Sequence, residues 1–282
     1  MNIKEIKYQA RLAMRDKYWE AFVVVFACFG IYILFKLVEI MVCSVLIYNN
    51  IVDVKQMFTN NNFIWTTFRI IYSVFLFIAM VPVVTGAVWW FSQAVKKNEF
   101  LSDSIIQLYT SFKVNSRAFI VYGLMWLIQL LSLIPSCLMI FGAYIIIAHY
   151  SANSDMLYLA IQLIILSIAF LAFHIRVTLG LILTPYIFIR HPMDNPFSII
   201  GISFRLMRGN KIQALKLLLS YIVYLPLMAL IVTIPLIIPN IMMSVTVFAE
   251  STASEYAVKQ VKNEKVKPRR NKIEDIEVQG RV

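Results

Sequence analysis

From Ala118 to Ala148 the chain carries no charged side chain. A helix needs about 20 apolar residues to cross the hydrocarbon core of a bilayer, so this run alone exceeds the requirement. Four more apolar runs accompany it, at 20–47, 63–95, 156–189 and 212–257. Apolar residues make up 60% of the 282 and charged ones only 15%, against about 25% charged in an ordinary soluble domain. One globular core cannot hide that excess. The expected fold class is all-α, a polytopic membrane protein.

The last run is long enough for two crossings, with Pro235 and Pro239 at a natural break, because proline ends a helix by removing a donor and clashing with the preceding turn. That gives about six transmembrane helices in three hairpins. The basic residues agree with this count. Five Lys and Arg precede the first run, four follow the second, five follow the fourth and eight lie in the tail, whereas Lys55 alone falls on the other side. The positive-inside rule then places both termini in the cytoplasm. For 118–148, the excess length implies either a tilted helix or a re-entrant piece around Pro135-Ser136.

The first run is read as an uncleaved anchor, not a signal peptide, because it continues past Cys28 to Ile47. Cys28, Cys43 and Cys137 all lie in apolar runs without metal or disulfide spacing. The net charge of +11 sits at the ends of apolar runs instead of on a face interleaved with aromatics, which argues for anionic headgroups and against nucleic acid.

Three basic elbows recur. MRDKYWEAF at 14–22, FKVNSRAF at 112–119 and MRGNKIQAL at 207–215 align on Ala21, Ala118 and Ala214, with one gap in the middle copy. Apolar residues precede each at helical spacing: Ile3, Ile6, Ala10, Ala13; Leu101, Ile105, Leu108, Phe112; Phe197, Ile200, Phe204, Met207. Each hairpin is therefore expected to follow an interfacial amphipathic helix with its apolar face in the acyl chains. Arg15, Lys17, Lys113, Arg117, Arg208 and Lys211 would contact headgroups, each contributing on the order of 1 kcal/mol. Gly209 and Asn210 suit the turn. The chain divides into a single membrane domain, 1–258, with pseudo-repeats of about 1–95, 96–190 and 191–258, and a basic, disordered cytoplasmic tail at 259–282.

SFRLMRGNKIQALKLLLSYI resembles the signature of an uncharacterised bacterial multi-spanning membrane protein family catalogued as domain of unknown function 975. Its members carry Met-Lys-Gly-Asn-Lys and then a Leu-Ser-Phe-type segment, which read here Met207-Arg208-Gly209-Asn210-Lys211 and Leu219-Ser220-Tyr221. ARLAMRDKYWEAF at 10–22, MVPVVTGAVWWF at 80–91 and the Phe-Lys of LYTSFK at 108–113 match further, so the resemblance covers most of 8–250. The family's Pro-Gly pair is missing, and VTLGLILTPY stands there at 177–186. The resemblance implies a bacterial membrane protein, mainly of Gram-positive lineages. It supplies no reaction and no catalytic residues.

No phosphate-cradling loop, zinc-protease motif or nucleophile elbow is present. No enzyme activity and no cofactor are expected. Ionisable residues in lipid are costly unless paired or hydrated, so His174 and Arg176, near the middle of the fourth run, form a candidate polar site with Lys36 and Glu39. Arg176 would serve either an anion site or a structural salt bridge, with Glu39 one potential partner. Lys36 and Glu39, three apart on one helix, would otherwise neutralise each other. The expected function is a non-enzymatic membrane subunit or scaffold organising lipid or a partner protein. The alternative is a small permease with its path near Arg176 and His174. A cavity reaching Arg176 would favour transport, and a dry Arg176 beside a carboxylate the scaffold.

Overall fold

The computed structural model describes residues 2–49, 63–96, 112–150, 154–224, 226 and 237–254. Every regular element among them is helical: α1 (Ile3–Met14), α2 (Tyr18–Tyr48), α3 (Phe63–Lys96), α4 (Phe112–Tyr150), α5 (Ser154–Leu181), α6 (Thr184–Arg190), α7 (Pro196–Leu206) and α8 (Lys211–Leu219). A 3₁₀ turn follows at Ile222–Tyr224, and α9 covers 237–254.

Four stretches are long and apolar enough to cross a membrane: Tyr18–Tyr48, Phe63–Lys96, Lys113–His149 and Asp155–Arg190. Their outward residues are apolar and uncovered, among them Met41, Ile71, Phe141 and Ile165. The segment 118–148 lies within one continuous helix, α4, with Pro135 inside it. At 1.5 Å per residue its 39 residues extend about 58 Å, well beyond a hydrocarbon core of about 30 Å. The fourth stretch departs from expectation. It breaks at Ile182–Leu183, and Pro185 starts α6 after the break.

The core gathers at one end of the long helices. Buried side chains come from the start of α2 (Ala21, Val25), the end of α3 (Val88, Phe91), the start of α4 (Ala118, Val121) and α6 (Phe188). Those ends also carry the basic residues. At a bilayer surface water still competes for apolar groups, so burying a Phe or Leu there stabilises by about 1.5–3 kcal/mol. Deeper in lipid that driving force vanishes, and helices associate through small and hydroxyl side chains. The α4–α5 pair has contacts of that kind: Ser136 Oγ donates to the Ser167 carbonyl at 3.1 Å, and Ala143 and Ala160 are buried.

The short amphipathic helices do not offer their apolar stripes to lipid as expected. In α1, Ile6, Ala10 and Met14 are buried in protein while Tyr8 and Leu12 face out. In α7 the buried stripe is Ile199, Ile200, Ser203 and Leu206, followed by Met207, and Phe197 is exposed. Joining the common core removes these stripes from water more completely than an interface would. The helix expected at 101–112 lies almost wholly outside the described residues.

The first and third units nevertheless match without a gap. Ile6 and Ile199, Ala10 and Ser203, Met14 and Met207, and Ala21 and Ala214 are each 193 positions apart, and all eight are at most 3% exposed. The first elbow turns at 15–17 and the third at 207–210. The middle copy differs, because FKVNSRAF is helical throughout as the first turns of α4, although Ala118 is buried like its counterparts.

The final run is not one pair of long helices among the described residues. α8 has nine residues and rises about 14 Å, too short to cross. α9, which contains Pro239, buries Met243 through Ala249 without interruption. The Tyr221 hydroxyl lies 2.6 Å from Ser244 Oγ, so the two arms of this run are neighbours. Pro235, Lys55 and the basic tail lie outside the described residues.

Candidate functional site

The third elbow makes the site. α7 ends at Leu206, and Gly209 adopts φ +96°, the left-handed conformation that glycine accepts at least cost. Asn210 lies in the right-handed region, so Gly209 alone supplies the reversal. The turn delivers Lys211, at the start of α8, onto α5, where its Nζ donates to the Arg176 carbonyl at 3.1 Å. Phe204 sets that approach. Its ring fills the space a side chain would need at Gly180, and the Lys211 ammonium lies 5.4 Å from the ring centroid. Ser203 Oγ fixes the same crossing by donating to the Gly180 carbonyl at 2.7 Å.

Arg176, Arg208 and Lys211 thereby line one open groove of about 740 Å³ whose remaining walls include Ala172, Ile175, Leu179, Ile212 and Leu215. Among the described residues no carboxylate lines it. Burial pushes the Lys211 ammonium below the ordinary lysine value, and the Arg176 charge adds to that. The break at Ile182–Leu183 also changes the position of Arg176. It is midway along 155–190 but only five residues from the end of α5. The elbow reaches it there.

The other candidate residues fall elsewhere. Lys36 Nζ pairs with Glu39 Oε2 at 2.6 Å on α2, and the Tyr72 hydroxyl donates to the Phe35 carbonyl beside them. Glu39 therefore has its ion-pair partner on its own helix and not in Arg176. His174 turns to α4, with Nδ1 2.7 Å from Ser132 Oγ, and does not line the groove. Since Ser132 Oγ also donates to the Gln129 carbonyl at 2.8 Å, both contacts are satisfied when His174 carries its proton on Nδ1.

Among the remaining elbow residues, Arg15 is exposed at the C-cap of α1 and Lys17 is the N-cap of α2. Lys113 is exposed on the first turn of α4. Arg117 Nη1 donates to the Met193 carbonyl, tying α4 to the connection before α7.

One constellation was not expected from sequence. Glu250 on α9 accepts from Arg190 Nη2 and from Ser92 Oγ at 2.9 Å, and lies 3.9 Å from Lys96 Nζ. It ties together the basic ends of α3 and α6. Its signal was a lone carboxylate between Ile237 and Ser254, a stretch otherwise without charge. A second pocket, of about 200 Å³, includes Lys7, Arg11, Tyr221 and Asn240. There Lys7 donates to the Ser220 carbonyl at 3.4 Å. Among the described residues no group of His, Cys, Asp or Glu is placed to hold a metal.

Four membrane-length apolar helices in a helical bundle define the class: this is a helical membrane protein. Comparison with known proteins narrows it no further, since no family model, curated protein or solved structure matches the chain.

Proposed function

We propose that the chain is a non-enzymatic membrane subunit that organises anionic lipid at its basic face. In this reading it crosses a bacterial inner membrane six times, has both termini in the cytoplasm, and belongs to the family that its elbow sequence resembles. The observation that carries the lipid role is the groove in which Arg176, Arg208 and Lys211 converge, with no carboxylate among the described residues that line it. A cluster of cations beside apolar walls matches an anionic amphiphile and is costly to leave empty. The Lys and Arg distribution supports the orientation, and the contact between Tyr221 and Ser244 supports a final hairpin.

The permease is the second reading, favoured by the fact that the groove reaches Arg176. Transport needs a route onward through the bundle, and His174, which would continue it, is engaged with Ser132 on another face. A groove without that continuation fits lipid holding better than passage.

Purification of the full chain from its host in mild detergent, with mass spectrometry of proteins and lipids together, tests the proposal. Enrichment of anionic lipid over the bulk membrane is the expected result. A co-purifying partner protein in stoichiometric amount would make the chain a subunit of that assembly. Retention of lipid in bulk proportions, together with solute uptake in proteoliposomes that is lost in Arg176→Ala, would replace this reading with the permease.

A further inference from the structure

The groove between α5 and the third elbow is specific enough to assign an occupant. We infer that it seats one glycerophospholipid of net negative charge, with its phosphate held by Arg176, Arg208 and Lys211 and an acyl chain lying along Ile175, Leu179 and Ile212. This deepens the lipid-organising reading above and rests on it.

Three observations favour a bound phospholipid over a diffuse headgroup layer. First, the cations come from two separate parts of the fold, Arg176 from α5 and the other two from the elbow, so they converge only through tertiary packing. Two guanidinium forks and an ammonium suit the several oxygens of one phosphate. Second, the elbow is held against α5 through Lys211. Lys211 is held by the Arg176 carbonyl at 3.1 Å and the Phe204 ring, and Arg208 precedes the left-handed Gly209. Third, the groove is two-sided in chemistry. A free inorganic anion would need only the cations, whereas Ala172, Ile175, Leu179, Ile212 and Leu215 extend an apolar wall that only an amphiphile uses. A volume of about 740 Å³ lies within the usual range of about 300–1,000 Å³ for a bound organic ligand.

The first elbow is a built-in control. Arg15 occupies the position that corresponds to Arg208 by the 193-residue offset, but it lines none of the described pockets.

The test uses the full chain in nanodiscs of phosphatidylcholine doped with phosphatidylglycerol, and native mass spectrometry after release counts the lipid retained. Wild type is expected to keep one phosphatidylglycerol. Arg176→Gln, Arg208→Gln and Lys211→Gln should each weaken retention about tenfold, the loss of one charge-assisted hydrogen bond, whereas Arg15→Gln should leave it within about twofold. Ala172→Trp fills the apolar wall while leaving all three cations in the chain and should evict the lipid equally. Inorganic phosphate should not compete.

Lipid retained undiminished in all three charge variants would overturn the site while leaving the lipid-organising role intact. Displacement by inorganic phosphate, with Ala172→Trp silent, would make the groove a free-anion site and overturn the proposal. No preference for phosphatidylglycerol in wild type would overturn the role itself.

Discussion

Lys211 is the residue whose chemistry is most exposed to test. Burial first, and the Arg176 charge second, lower its pKa from the usual 10.5. In the window between that lowered value and 10.5 the folded chain has released this proton and the unfolded chain has not. Stability must therefore rise with pH across the window. Affinity for a lipid phosphate should fall across the same window, because the released proton carried the charge that binds it. Lys7 is shifted down as well, by burial and then Arg11, so the informative quantity is the difference between wild type and Lys211→Gln. Denaturation and lipid retention measured through alkaline pH should show opposed slopes in that difference; parallel slopes would dissociate Lys211 from the phosphate. Glu250 poses a plainer case. Glu250→Gln keeps the shape but sets the Arg190 and Lys96 charges against a neutral amide, and should cost about 1–2 kcal/mol in melting experiments. Adding Lys96→Gln should recover part of that loss by removing the surplus cation.

Between elements, the crossing of α5 and α7 is the joint on which the groove depends. A methyl group added at Gly180 would lie 2.4 Å from the Phe204 ring, too close for any real contact. Gly180→Ala is expected to destabilise by about 1–3 kcal/mol and to displace Phe204 from beneath Lys211. Phe204→Leu in the same chain should relieve the clash, so a double-mutant cycle should show strong non-additivity. Additive effects would mean that the two residues do not meet. This joint was only partly legible in the sequence. The helical spacing of the residues before the first and third elbows correctly marked α1 and α7 as amphipathic, and the alignment on Ala21 and Ala214 paired two positions that are both buried. Periodicity says which residues share a face but not whether lipid or protein covers it. The buried stripe of α7 accordingly includes Ser203 and excludes Phe197. The break at Ile182–Leu183 was hidden for a related reason: Leu179 through Leu183 are as apolar as any membrane helix, and only Pro185, allowed at a helix start, marks the new turn. Measured against the unbroken run, Arg176 looked buried mid-membrane, when it sits near a helix end that the elbow can reach.

At the scale of the molecule, composition and charge spacing were enough for four long helices, but the number of crossings depends on the final run. α8 ends after nine residues and α9 is enclosed by protein, so apolar length does not translate directly into a span. Charge placement still favours two crossings there. Lys211 and Glu250, near the two outer ends of the run, both engage residues of the fourth long stretch, Lys211 at Arg176 and Glu250 at Arg190. The contact between Tyr221 and Ser244 joins the arms between those ends. A hairpin of this kind should carry its apex to the side opposite the elbows. With Cys28, Cys43 and Cys137 replaced by serine, a membrane-impermeant thiol reagent applied to intact cells should label Leu236→Cys and Lys55→Cys but spare Asp16→Cys. Permeabilised cells should label all three. Labelling of Leu236→Cys only after permeabilisation would return the apex to the side of Asp16, reduce the count to four, and make the last run a re-entrant piece packed beneath the groove. In that arrangement the cluster of Arg176, Arg208 and Lys211 would keep its lipid, because none of its three cations depends on the apex.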